Sequence, residues 1–240
     1  MFREIKKKHI ILENRKPYPD QISEYIHELN MVDWIYGSMR MDGSILTRNQ
    51  VERILKGAFI PDANLNEHAA IDRHRLLFKA AHDMLEMSFS LSPELIFNFA
   101  QKLTGDDNIG YRRTNPVLVS LNYNPPHPSD IEQQMKLLMN WFYADDTESN
   151  PILKAAELHH RIIEIYPFDS YSEAVARAAM YYFLMEQGYP PFELNLSERE
   201  YNIAIIEYLK KENSEPFYQA IEHSLLNKME VLIQLTANEK

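Results

Sequence analysis

The side chains best able to do chemistry lie in one stretch, Tyr166-Pro167-Phe168-Asp169-Ser170-Tyr171-Ser172-Glu173-Ala174, with Arg177 three residues on. It breaks two apolar-periodic segments with a proline, polar residues and aromatics, as a chain does where it holds a site. The parts for acid–base chemistry are nonetheless poor. A tyrosine, with an ordinary pKa near ~10, is a weak base at neutral pH. Asp169, Glu173 and His160 are the other titratable groups nearby, while Arg177 suits either an anion or a structural ion pair.

Other chemistries find less support. Glu24–His27 and Glu157–His160 both have the Glu-x-x-His spacing of di-iron helical bundles. That centre needs two further inward carboxylates, and a proline-broken helix pair suits it badly, so no metal is expected. The chain has no cysteine, which removes disulfide and thiolate chemistry. With only 6 glycines it has no phosphate-cradling loop of the Walker or Rossmann kind. Its net charge of −10 argues against a nucleic-acid surface. No run approaches the ~20 apolar residues of a membrane span, and a cytoplasmic protein is the expectation.

The elements that must position the stretch are mainly helical. Residues 1–19 read as an arm with at most one short strand. An amphipathic helix follows from Asp20 and is expected to stop near Gly37, before a turn at Asp42-Gly43. Four capping boxes are legible, Thr47–Gln50, Ser129–Glu132, Ser170–Glu173 and Ser197–Glu200. Ser92-Pro93 and Asn150-Pro151 open two more helices, and others span about Glu67–Phe89 and Glu215–Thr236. Only Pro116–Leu121 reads as a strand or hairpin. About nine helices with one small β element result. One compact unit is expected, divided into an arm (1–19), an N-terminal helical segment (20–91), a core (92–190) and C-terminal helices (191–240).

The stretch resembles the signature of the Fic (Fido) family, H-x-F-x-[D/E]-G-N-G-R-x-x-R. The likeness extends over about residues 20–225, through Gly110-Tyr111-Arg112, a flap at Pro116–Pro126, and Gly188-Tyr189-Pro190-Pro191. Laid on this chain, the family's general-base histidine falls on Tyr166, and its phenylalanine is kept as Phe168. The metal-binding acid becomes Ser170, and the Gly-Asn-Gly anion loop becomes Tyr171-Ser172-Glu173. The first arginine becomes Ala174 and the second is retained as Arg177. In the family, the histidine deprotonates a target hydroxyl that attacks the α-phosphate of ATP, the acid holds Mg²⁺, and the glycine turn and arginines bind phosphates. Ser38-Met39-Arg40-Met41-Asp42-Gly43 likewise resembles the inhibitory motif [S/T]-x-x-x-E-[G/N], whose acid pairs with the second arginine.

The resemblance implies a mainly α fold, a Fic-type helical bundle with a small β-hairpin flap. An ion pair between Asp42 and Arg177 is expected, direct, longer or water-mediated because aspartate is short. The Ser170–Glu173 box is expected to fill the helix amides that would otherwise take phosphate. A carboxylate ~4 Å from a phosphate charge costs about 4 kcal/mol at an effective dielectric near ~20. The reading that follows is a degenerate Fic-domain protein, inactive as an AMP transferase, serving as a binding or regulatory module. A protein or peptide partner would add a strand at the flap, Val117, Leu118, Val119 and Ser120. The alternative is a working protein adenylyltransferase, or another nucleotidyl or phosphoryl transferase, with a reorganised site. ATP and Mg²⁺ enter only in that case. Oligomeric state is not legible.

Overall fold

The computed structural model describes residues 1–144 and 150–237. Among them lie ten α-helices: α1 (Phe2–Glu13), α2 (Asp20–Met41), α3 (Arg48–Leu55), α4 (Leu65–Glu86), α5 (Pro93–Thr104), α6 (Ile131–Tyr143), α7 (Pro151–Ile165), α8 (Ser172–Glu186), α9 (Glu198–Lys211) and α10 (Glu215–Leu235). The centre is α8. From Ala174 to Leu184 every residue is buried, on all faces. A helix apolar all round must be enclosed by others, and α4, α5 and α7 enclose it. Its alanines, Ala174, Ala176, Ala178 and Ala179, keep its girth small where neighbours press closest.

Helix starts follow local chemistry in most places. The Thr47–Gln50 and Ser197–Glu200 boxes both form, open α3 and α9, and close reciprocal side-chain-to-backbone bonds. Ser92 caps α5 with proline in its first turn, and Asn150 does the same for α7. The Ser129–Glu132 box does not form. Pro128–Asp130 is instead a single 3₁₀ turn, in which the His127 ring accepts from the Ser129 amide, and α6 begins at Ile131 without a side-chain cap.

Three expectations about elements need correction. Residues 1–19 are not an extended arm, because α1 packs along α10 and buries Ile5 and Leu12, one heptad apart. Helix α2 does not stop near Gly37; it runs on to Met41. Gly37 packs on another segment, where a Cβ would lie in ordinary contact, 3.4 Å from the Glu193 Cα. The β-hairpin expected of the flap is reduced to its minimum, with no continuous strand among the described residues. It is one antiparallel bridge, Leu118 to Tyr123, with main-chain bonds of 3.0 and 3.2 Å closing a 3₁₀ turn at Val119–Leu121. No described helix is long and apolar enough to cross a membrane.

Candidate functional site

The site is built where α7 ends and α8 begins. Helix α7 terminates on Tyr166, which takes a left-handed conformation at φ 48° and donates its amide to the Ile162 carbonyl. Phe168 then turns fully inward, against Phe97 and Tyr111. The buried Ser172 hydroxyl donates to the Phe168 carbonyl and accepts from the Phe168 amide, both at 2.9 Å. Those two bonds fold residues 168–172 into a closed loop. Tyr171, at the first glycine position of the resembled motif, is also left-handed, at φ 62°. That conformation costs a non-glycine residue roughly 1–2 kcal/mol, so the turn geometry persists although the glycine that suits it is gone.

Arg112 fastens the flap to this loop. It is fully buried, and its guanidinium donates to the carbonyls of Tyr166 (2.7 Å), Thr114 (2.7 Å), Pro126 (2.5 Å) and Ile165 (3.4 Å). Its own amide donates to the Pro167 carbonyl at 2.9 Å. The planar fork thus joins both ends of the flap to the break between the helices. Tyr123 adds a bond from its hydroxyl to the Glu164 carbonyl at 3.0 Å.

Arg177, one and a half turns into α8, is the electrostatic centre. It is wholly buried and donates from Nε to Ser38 Oγ (2.9 Å), from Nη1 to Tyr201 Oη (3.1 Å) and from Nη2 to Asp42 Oδ1 (2.5 Å). The Asp42–Arg177 pair is direct, because α2 runs through Gly37 and delivers Asp42 as its C-terminal cap. Burial opposes the guanidinium charge, but Asp42, Tyr201 and Glu173 outweigh it and raise its pKa. Tyr201 accepts from Arg177, so its own proton goes to His159 Nε2 at 2.7 Å. His159 is held neutral, its pKa well below the ordinary value through burial, His160 and Arg177.

Beside the Asp42 end of this network lies an open cavity of about 330 Å³, which Arg177 itself does not line. Its walls include Asp42, Glu173 and Glu198, the rings of Tyr166 and Tyr171, and Ser120 from the flap. The expected Ser170–Glu173 capping box is absent. The N-cap is Tyr171 in its left-handed conformation, no side chain caps the first turn, and the serine that bends back is Ser172. Glu173 instead stands in the cavity wall, where burial raises its pKa, Arg177 opposes, and Asp42 and Glu198 add to the rise. Tyr166 lies beside it, its phenol pushed up to about 12 by burial, Glu173 and Asp42. A phenol so placed holds its proton at neutral pH.

The substitute catalytic groups do not converge. Asp169 is exposed and accepts from the Thr114 hydroxyl at 2.9 Å. His160 is buried elsewhere, stacked on Tyr208 and 3.3 Å from Ser214 Oγ. Ser170 is exposed, and Ala174 brings no cation to the cavity. The described residues contain no group of three or more His, Cys, Asp or Glu able to hold a metal. Arg177 is engaged by Asp42, and Glu173 stands at the uncapped first turn of α8. Sequence reasoning missed Glu198, Arg73 and His74. Arg73 donates to the Tyr171 hydroxyl at 3.3 Å, and the buried His74 has its pKa lowered to about 4, chiefly by burial.

On the flap, Val117 and Val119 are exposed while Leu118 makes the bridge to Tyr123. Ser120 alone of the four flap residues lines the cavity.

Comparison with known proteins bears on this frame. The chain is 27% identical over 185 residues to a protein adenylyltransferase Fic of Nematostella vectensis, across 75% of this chain and 42% of that one. It is 26% identical over 192 residues to a protein adenylyltransferase Fic of Drosophila persimilis, across 78% of this chain and 38% of that one. The chain thus spans about two fifths of the length of these curated relatives. A Fic domain containing signalling protein from Bacteroides thetaiotaomicron superposes with a TM-score of 0.82 at 19% identity, over 100% of this chain and 97% of that one. Fic-1 from C. elegans does so with a TM-score of 0.80 at 18% identity, over 98% and 70%. The Fic/DOC family model matches residues 65–184, half of the 240 residues and including the whole Tyr166–Arg177 frame, and the chain belongs to that family.

Proposed function

We propose that this chain is a degenerate Fic domain that does not transfer AMP by the family mechanism and serves as a binding or regulatory module. The observation that carries the reading is the commitment of Arg177: its three donating nitrogens all serve Ser38, Tyr201 and Asp42. No second arginine stands at Ala174, and Glu173 adds a carboxylate to the turn that would face phosphate. At an effective dielectric near ~20, each such charge within ~4 Å of phosphate costs about 4 kcal/mol. At the base position, Tyr166 keeps its proton.

The binding role rests on the flap. It is held to the core by Arg112 and presents Val117 and Val119 outward, a geometry suited to main-chain pairing with an extended segment of a protein partner. A cytoplasmic location belongs to the same proposal.

One observation favours the second reading, a reorganised adenylyltransferase. The first turn of α8 is uncapped and borders a cavity of about 330 Å³, so amides remain for an anion. The relatives named protein adenylyltransferase agree with it. Incubation with α-labelled ATP, Mg²⁺ and a cell lysate, using the natural chain and Asp42→Gly, separates the two. No label on protein in either case supports the degenerate reading. Label transferred by the natural chain overturns it.

A further inference from the structure

The flap and the cavity beside Asp42 meet at Ser120. Within the flap, the Leu118 amide and carbonyl both pair with Tyr123. Neighbouring residues of an extended strand turn their main-chain groups to opposite sides, so Val117 offers its own to the outer edge. Among the described residues no hydrogen bond engages the Val117 amide, the Val117 carbonyl or the Val119 amide. The two valines stand in solvent, 69% and 83% exposed. An edge with unpaired main-chain groups is a template for an extended segment of another chain.

The cavity at the end of this edge is acidic. Asp42, Glu173 and Glu198 line it, and among the described residues no lysine, arginine or histidine does. Arg177 is paired with Asp42, and Arg40, further off, with Glu193. Arg73, outside the lining, reaches the Tyr171 hydroxyl. Even with Arg177 and Arg73 both counted, the three carboxylates leave a negative balance. Neither the Glu173 nor the Glu198 carboxylate has an ion pair or hydrogen bond among the described residues. Burial raises the Glu173 pKa, a penalty that a cation entering the cavity would offset. The rings of Tyr166 and Tyr171 add faces that attract a cation. The three carboxylates are not placed to hold a metal ion, so the cation they suit is a side-chain ammonium or guanidinium.

We infer that the flap takes an extended basic segment of a protein partner. Its main chain pairs at Val117 and Val119, and a lysine or arginine side chain enters the cavity against Glu173 and Glu198. The inference rests on the reading of this chain as a binding module and names the chemistry of the partner. The net charge of −10 favours the approach of such a segment.

The test is a selection of short random peptides against the full chain by mRNA display, followed by fluorescence anisotropy of the enriched peptides. Those peptides are expected to share one lysine or arginine. Replacing it by norleucine, or combining Glu173→Gln with Glu198→Gln in the chain, is expected to weaken binding at least ~10-fold. Val119→Pro removes an edge amide at the first position of a 3₁₀ turn, where proline is tolerated, and is expected to weaken binding as well. Peptides that depend on Val119 but share no basic residue, or that bind the double Gln variant equally, would overturn this inference and leave the binding-module reading in place. No enrichment over an unrelated protein would overturn both.

Discussion

Arg177 Nη2 donates to Asp42 Oδ1 at 2.5 Å, joining the middle of the central helix to the last residue capping α2. The two differ sharply in exposure: the Arg177 side chain is 1% exposed and that of Asp42 36%. Solvent therefore stabilises Asp42 when the pair breaks, whereas Arg177 depends on its partners.

From this asymmetry, Asp42→Asn is expected to destabilise the fold by about 3 kcal/mol, the low end for breaking a buried pair, since it strands a buried charge. Asp42→Asn combined with Arg177→Met removes the stranded charge and is expected to recover part of that loss. Urea unfolding of the three variants measures both steps, and a double variant less stable than Asp42→Asn would contradict the argument.

Arg112 is expected to hold the flap through geometry rather than charge. Arg112→Lys keeps the cation but not the fork that reaches the Tyr166, Thr114 and Pro126 carbonyls. With each orphaned buried acceptor costing about 1–3 kcal/mol, a loss of more than about 2 kcal/mol is expected. Hydrogen exchange should quicken at the amides of Leu118 and Tyr123, which close the bridge.

Three buried histidines set an acid limit. His74 and His160 have pKa values lowered to about 4 and about 3, and His159 is lowered well below its ordinary value, all chiefly by burial. The unfolded chain takes up their protons near pH ~6.5 and the folded chain does not, so stability is full above that pH and falls as pH drops. Between pH ~7 and ~5 each is expected to cost about 2 kcal/mol. Glu173 and Glu186, whose pKa values burial raises, act in the opposite sense as acid protonates them. His160→Phe, which keeps a ring against Tyr208 and Phe217, should flatten the measured pH dependence by about 2 kcal/mol over that range.

Glu173 is a half-buried carboxylate beside Asp42 and Glu198, with a raised pKa. Such a group stabilises the fold below its unfolded pKa and loses that contribution as pH rises through its folded pKa. Glu173→Gln is therefore expected to raise Tm at neutral pH and to leave it nearly unchanged near pH ~4. A lowered Tm at neutral pH would mean that Glu173 strengthens the Arg177 network more than burial weakens it.

The frame of the site was legible because its signals are local. Phe168, Arg177 and the Ser38–Asp42 segment keep their spacing, and the structure brings Ser38, Asp42 and Arg177 together. The turn chemistry was less legible. Ser170 and Glu173 have capping-box spacing, yet the helix starts two residues after Ser170, because Ser172 closes its loop onto Phe168 and Tyr171 turns left-handed. The same limit applies at Ser129, where Pro128 and His127 favour a 3₁₀ turn. Helix α1 was hidden by Lys6-Lys7-Lys8, of which Lys6 and Lys7 are exposed and Lys8 pairs with Glu230 of α10, while Ile5 and Leu12 carry the packing. The packing of Gly37 on the segment around Glu193 joins positions far apart in the chain, and no local pattern reports such a crossing. The joining of Arg177 to Tyr201 and His159 is equally non-local, although all three residues stand out as polar groups on apolar helices.

We propose that the cavity beside Asp42 and Glu173 does not accept a nucleoside triphosphate. Calorimetric titration of the natural chain with Mg²⁺ and ATP, beside Asp42→Gly, tests it most directly. No saturable heat from either protein is the predicted result, since Glu173 remains at the α8 turn even when Arg177 is released. Saturable binding of ATP by the natural chain would contradict the account.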